Sequence, residues 1–410
     1  MNFSFPYSEL LTQKNFRLLS LARLFNKSAF TLFQLEIIWF TMEITNQSPL
    51  YLSTIIMAGT VPFILFGMYG GHVADTYNKK KMMIYSDILT TLLIGLIPIL
   101  FYFDSLTYVS LVIIYTLIST CSCFLEPSFR AILPDLIRST QLQKGNALLD
   151  SIQRGVGIVI PPAIGIILFF TIPIHIFTIC FFLFSLSTIC HLAIHYTKPA
   201  MQPGHTVRNK QSIKATFTYI KSSKIILLII VMQGVTIFIN TGLWRVGLPL
   251  YLEKNVHEGI TTYGIITGLL ATAALTTSLL LGFIQKIQPI TIFLIGISLW
   301  GSGLLVIGLS PTLFTIYVAT ILIGIGQASE GLSRLIIFQK EVPSTLLGKV
   351  FSTSSSINYV SDTCSLAAIS SVLLILATSN VFILSGLCIG LSSIFGAIYV
   401  RKPKNTSIFK

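Results

Sequence analysis

Residue 36 is a glutamate set among Leu35, Ile37, Ile38 and Trp39. A carboxyl in such a run has few uses. It can carry a proton, touch a substrate or anchor a buried hydrogen bond. Ionisable side chains at bilayer depth cost roughly 2.5–3.5 kcal/mol each, so those that persist usually face a cavity and serve function. Glu36 is therefore the first candidate for proton coupling or substrate contact, and is expected to face a water-accessible cavity and not lipid. A structural hydrogen bond to another helix is the plainer alternative. Asp362, beside Asn358 and Tyr359, and Arg245, beside Trp244, stand in similar runs. Arg245 can bind an anionic group or snorkel to the surface. Arg23 and Lys27 lie one turn apart in the same run as Glu36. Lys27 is the deeper of the two and can pair with an acid.

Two further acid–base pairs have helical spacing. Glu126-x-x-x-Arg130 and Glu330-x-x-x-Arg334 each put a carboxylate and a guanidinium on one helix face. Both are followed by a proline, Pro134 or Pro343, and then by Lys144-Gly145 or Gly348-Lys349. One offset relates the two copies, and it carries Glu36 onto Asn240, which joins the coupling or substrate candidates. Pro127 lies inside the first pair and makes it the weaker expectation. Together with Asp75, these four residues are the candidate cytoplasmic gate. The histidines are scattered without metal spacing, and Cys121-x-Cys123 is not a zinc pattern. All six cysteines fall in apolar runs, where the role of a small buried hydrophobe is expected of them. No glycine-rich phosphate loop ends in Lys-Ser or Lys-Thr, so ATP is not indicated. The expectation is no metal and no cofactor. Nor does the sequence show a cluster of nucleophile, base and oxyanion donors, as an enzyme would need.

The elements that must carry these residues are membrane helices. The chain has 410 residues, 53% hydrophobic and only 10% charged, against about 25% charged in soluble domains. Apolar runs of about 20 residues recur throughout, the length that crosses a bilayer as a helix. About twelve are expected, near 18–42, 50–72, 83–103, 107–128, 152–171, 173–195, 225–251, 262–284, 290–309, 312–333, 351–377 and 380–400. The fold class is an all-α membrane protein. With the N-terminus inside, nearly all lysines and arginines fall on the cytoplasmic side, and Lys254 alone falls outside. The net charge of +13 is thus a topology signal and not a sign of nucleic acid. The start of the chain lacks a signal-peptide pattern, so the first run is expected to be a retained helix. The basic stretch 195–224 divides the helices six and six. It contains Pro199, Pro203 and Gly204, and reads as a cytoplasmic linker between an N-terminal half, 1–194, and a C-terminal half, 225–410, with a short basic tail.

Residues 71–81 read Gly-His-Val-Ala-Asp-Thr-Tyr-Asn-Lys-Lys-Lys between two apolar runs. This is expected to be a loop at the cytoplasmic face, with Asn78 able to take a positive φ. It resembles the loop between the second and third helices of the major facilitator superfamily, with Thr76 where an arginine is usual and Asn78 where a glycine is usual. That resemblance implies a tight turn at Gly71, a helix-capping Asp75 and basic residues that face the cytoplasm. Pro127, Ala131, Pro134 and Leu136, then Asn146 to Leu148, then Val342, Pro343, Gly348, Val350 and Phe351 are similar to motifs of the macrolide-efflux and enterobactin-exporter branch. The resemblance spans nearly the whole chain. Gly157-x-x-x-Pro161-Pro162-x-x-Gly165 resembles the antiporter motif of exporters in that superfamily, with Pro161 and Ile166 replacing glycines.

The resemblance implies two pseudo-symmetric six-helix halves of the major facilitator fold. It also implies a secondary-active exporter of small molecules, drugs or siderophores, driven by protons through alternating access. An importer of a small metabolite with the same fold is the main alternative; a membrane-embedded enzyme or a channel is more remote. The partners expected are a small-molecule substrate, protons and the lipid bilayer, with the monomer as working unit. The location expected is a cell membrane, with both termini cytoplasmic, and the Ile-, Lys- and Asn-rich composition points to a bacterium. Single cysteines replacing Arg208 and His257 should label from opposite sides of intact cells. Labelling of both from outside would defeat this topology.

Overall fold

The computed structural model describes residues 8–138, 141–196, 213–281 and 287–401. Among them are helices and no strand. The long helices are α1 Lys14–Ile44, α2 Pro49–Thr76, α3 Lys79–Tyr102, α4 Tyr108–Leu136, α5 Leu142–Phe170 and α6 Ile174–Ala193. They continue with α7 Lys224–Val256, α8 Ile260–Leu281, α9 Pro289–Leu309, α10 Leu313–Glu341, α11 Ser344–Ile375 and α12 Thr378–Arg401. In lipid a helix is favoured because it satisfies its own backbone hydrogen bonds. Eleven helices, α2 to α12, are long and apolar enough to cross a bilayer. The chain is a multi-pass membrane protein. α1 is long enough too, but Arg23, Lys27, Glu36 and Glu43 make it too polar to pass on composition alone. The helix that composition identifies least well is the one bearing the first candidate site.

Several expected boundaries move. The stretch 71–81 is not a loop throughout: α2 runs to Thr76, and only Tyr77 and Asn78 separate it from α3. Asn78 has φ −74°, not a positive angle, and its side chain accepts from Lys81 N at 3.1 Å. It serves as an N-cap, a role that suits asparagine and ties down an orphan N–H. Two of the basic residues that follow are engaged. Lys79 Nζ donates to Ala131 O at 2.9 Å and to Asp135 at 2.7 Å, and Lys80 Nζ to Leu192 O at 3.0 Å. Cations near the last turns of α4 and α6 fit the negative ends of those helix dipoles. The phenol of Tyr196, just past α6, donates to Asp135 at 2.9 Å. Partial burial, then this carboxylate, holds its ionisation above the ordinary tyrosine range. Helix α4 extends past its expected end to Leu136, through Pro127 and Pro134, and α10 extends to Glu341. Much of the expected linker, 197–212, lies outside the described residues; Ile213–Ser222 forms a short helix.

The contacts divide the chain into two units. The first holds Met1–Val207 and His257–Gly268, the second Arg208–Val256 and Leu269–Lys410. In the first, α1 packs on α5 and α6, α2 on α4, and α3 on both α4 and α6. Phe33 stacks edge-on against Tyr115 at 5.1 Å and Phe177 at 5.9 Å, and Phe40 against Phe177 at 5.7 Å. The antiporter-like stretch is one unbroken helix through Pro161 and Pro162. A methyl on Gly165 would meet Thr261, and one on Gly264 would meet Pro161 O at 2.2 Å, so small residues let α5 and the start of α8 approach closely. Gly157 has open space around its Cα.

In the second unit, α7 packs on α11, and α9 on α10 and α12. Here backbone meets backbone. A Cβ on Gly326 would lie 2.6 Å from Gly296 O, and one on Gly386 2.6 Å from Gly301 O. Backbone cannot give way as a side chain can, so Gly386→Ala should destabilise the protein by about 1–3 kcal/mol. Gly390→Ala, where the space is open, should be near neutral. Thermal unfolding of the purified protein in detergent checks the difference.

Candidate functional site

Three of the sequence candidates meet on the first unit. Glu126 of α4 does not pair with Arg130, one turn along its own helix; no such ion pair is present among the described residues. Its carboxylate instead binds Arg23 Nη1, at 2.9 and 3.1 Å, and Lys27 Nζ of α1. Arg23 also donates from Nη2 to Gln153 Oε1 of α5 at 2.7 Å and lies 4.6 Å over the ring of Phe129. The α1 cations supply two partners across an interhelical gap, while Arg130 stays exposed. Lys27 and Glu126 keep about a fifth of their side-chain surface accessible, 20% and 22%. The side chain of Asp75 lies outside the described residues.

Glu36, farther along α1, is shielded from lipid, but it is not water-accessible: it is 1% exposed. Both carboxyl oxygens lack a hydrogen-bond partner among the described residues. It stands one turn from Phe33 and from Phe40, whose rings close over Phe177. That aromatic packing accounts for the burial. An orphan carboxyl of this kind calls for an explanation, and a functional one is available.

In the second unit the candidates separate. Arg245 approaches Asp362 of α11 at 3.7 Å, with side-chain exposures of 41% and 18%. Arg245 sits in a π-helical turn, Leu243–Gly247, and a second one, Leu252–Val256, follows. Such wide turns re-aim side chains and recur at functional sites. Asn240 is occupied structurally, accepting from Trp300 Nε1 of α9 at 3.0 Å. Arg334 does bind Glu330 on its own helix at 3.0 Å, as its spacing implies. With the amide of Gln233 on α7 assigned so that both its ends find complementary partners, its oxygen accepts from Arg334 at 3.1 Å and from Asn358 of α11 at 3.0 Å.

The sequence reading missed one cluster entirely. Asp87 of α3 is wholly buried. Its Oδ1 accepts from Asn26 Nδ2 at 3.0 Å, and its Oδ2 from Ser187 Oγ at 2.7 Å and lies 2.8 Å from His191 Nδ1. The knot ties α1, α3 and α6 together. An aspartate inside an expected span was the available signal, but its partners lie far away in sequence. His191 has no metal spacing in the sequence, and nothing local marks it as a partner of Asp87. Among the described residues, no group of His, Cys, Asp and Glu could hold a metal.

A family model described as transmembrane secretion effector matches residues 6–388. The chain belongs to this family of major facilitator transporters. Macrolide efflux protein A of Streptococcus pyogenes is 25% identical over 79% of this chain and 80% of its own. A staphyloferrin A transporter of Staphylococcus aureus is 26% identical over 81% of this chain and 84% of its own. Among solved structures, a bacterial homologue of the iron transporter ferroportin in an inward-facing state matches with TM-score 0.75 and 15% identity, over 96% of this chain and all of that one, 100%. The nucleoside transporter NupG matches with TM-score 0.74 and 10% identity, over 95% and 99%. At such identities the structures show the fold alone. The family makes this transporter a carrier of small molecules and not an enzyme.

The Asp87–His191 knot generates a stability prediction for this transporter. Removing either partner leaves a buried polar atom of the other unsatisfied, which costs about 1–3 kcal/mol and more where a charge is involved. Asp87→Leu and His191→Leu should each lower the unfolding midpoint in detergent sharply, and the double variant should cost less than the sum. Additive effects would show that the two side chains do not act as a pair.

Proposed function

We propose that this transporter is a proton-coupled exporter of small molecules, drugs or siderophores, working by alternating access of its two halves. Both termini and the segment 195–224 lie on the cytoplasmic side in this reading, and the monomer is the working unit. The observation that carries it is the carboxyl of Glu36, buried on α1 with neither oxygen partnered. An unpartnered carboxylate in an apolar surrounding is costly, and binding a proton removes that cost. A change of conformation that opens the Phe33–Phe40–Phe177 packing would expose the group to water and let the proton go. Substrate movement and proton movement are then alternatives on one cycle.

Other features support the reading. The named relatives include an efflux protein and a siderophore transporter. The proline pair Pro161-Pro162 with Gly165 forms the seam where α5 meets the start of α8. In the second unit, Asp362 and Arg245 are the reserve coupling and substrate groups. The gate is assigned to Asp75, Glu126, Arg130, Glu330 and Arg334. Of these, Glu126 and Glu330 are held by cations within their own units.

Glu36→Gln keeps the shape and removes the proton site. In oriented vesicles it should abolish substrate flux driven by a pH gradient, while exchange of substrate down its own gradient persists. Purified wild type in weak buffer should change its proton binding when substrate is added, and the variant should not. Equal proton exchange by both proteins would take coupling away from Glu36. Accumulation of substrate toward the cytoplasmic side would make the protein an importer instead.

A further inference from the structure

Two cations of α1 face one carboxylate of α4. Arg23 and Lys27 both bind Glu126, and one positive charge is left in excess. The other acids nearby are already engaged. Asp150 of α5 is bound by Arg154 at 2.7 Å, and Asp87 by Asn26, Ser187 and His191. Arg130, on the helix of Glu126, adds a further positive charge that no described acid pairs. Excess positive charge at membrane depth is costly, and an anion relieves it.

The space beside the cluster has the right size and lining. A cavity of about 80 Å³ is bordered by Asn26, Lys27, Phe30, Thr90, Ser122 and Glu126. A water molecule takes up about 30 Å³, so there is room for one carboxylate and not for a whole drug-sized cargo. On the side of Arg23 a larger cavity of about 310 Å³ is bordered by Arg23, Arg130, Asn146 and Gln153. Arg23, Lys27 and Arg130 border these cavities together with the acids Glu126 and Asp150, each already held by a cation, and the aromatic ring of Phe30 walls one side.

We propose that Arg23 and Lys27 form the docking point for a carboxylate of the cargo, and that Glu126 is an internal stand-in for it. The proposal rests on the transport reading above and narrows its cargo to carboxylate-bearing molecules. Glu126 satisfies the cations while no cargo is bound. An incoming carboxylate then exchanges with it on Lys27, with no change in the number of charge-assisted bonds. The cost of desolvating the cations is met before binding, as in other preorganised sites.

The test follows from competition. Tricarballylate, a simple tricarboxylate, and its neutral trimethyl ester are titrated into the purified full-length transporter in nanodiscs. Lys27→Met should weaken tricarballylate binding about tenfold, and Glu126→Gln should tighten it by about tenfold, since the internal competitor is gone. The ester should bind none of the proteins. A gain of affinity cannot come from misfolding, so the Glu126→Gln arm stands even if Lys27→Met proves unstable. Absent or unimproved tricarballylate binding in Glu126→Gln overturns the proposal, as does equal binding of the ester. Those results leave the export reading untouched, because it is judged by flux direction and by Glu36→Gln.

Discussion

Nothing inside a bilayer can solvate a charge, so each one in this protein must find a partner, on its own helix or another, or remain an expense. α1 shows the consequence most fully. Arg23 and Lys27 reach Glu126 on α4, Arg23 also reaches Gln153 on α5, and Asn26 reaches Asp87 on α3. One helix is thereby tied to three others by polar contacts that have no substitute in lipid. Buried ion pairs of this type add little net stability, because desolvation offsets the attraction. What they do is define which helices are neighbours and in which register. Glu36 is the buried acid of the same helix, and no described partner meets either of its oxygens. The proposed proton coupling rests on that unmet carboxyl.

The second unit is joined differently. Association of helices in lipid has no hydrophobic driving force and relies on close packing. Gly296 against Gly326 and Gly301 against Gly386 bring α9 within backbone contact of α10 and α12. Polar contacts then concentrate around α7. Gln233 gathers Arg334 and Asn358, and Asn240 holds Trp300. Arg245 is left in a widened turn, half-exposed, opposite Asp362. The tightly packed helices serve as a frame, and the irregular α7 carries the polar side chains that bridge it to α9, α10 and α11.

Prolines follow the same logic. Pro127 and Pro134 lie within α4, and Pro161 and Pro162 within α5, without ending either helix. Each removes a backbone N–H, and neighbouring helices make this tolerable at membrane depth. At Gly165 and Gly264 the gain is proximity, because the side chain of Thr261 and the backbone of Pro161 fill the space that a Cβ would take.

Much of the fold was legible in the residues themselves. Long apolar runs leave no other stable structure in lipid, and the i, i+4 spacing of Glu330 and Arg334 predicts the pair that forms. These are local properties, fixed by helix geometry and by hydrophobic length. The ends of helices were less legible, as at Thr76 and Leu136, because in lipid a proline or glycine need not stop a helix. The partners of buried charges were not legible at all. Spacing favoured Arg130 for Glu126, yet Arg23 and Lys27 hold it, because two cations from another helix offer more than one on the same helix. Asp87 and His191 are 104 residues apart, and only the packing of α3 on α6 brings them to 2.8 Å. A chain determines by itself which groups must be paired; which groups are within reach is decided when the helices pack.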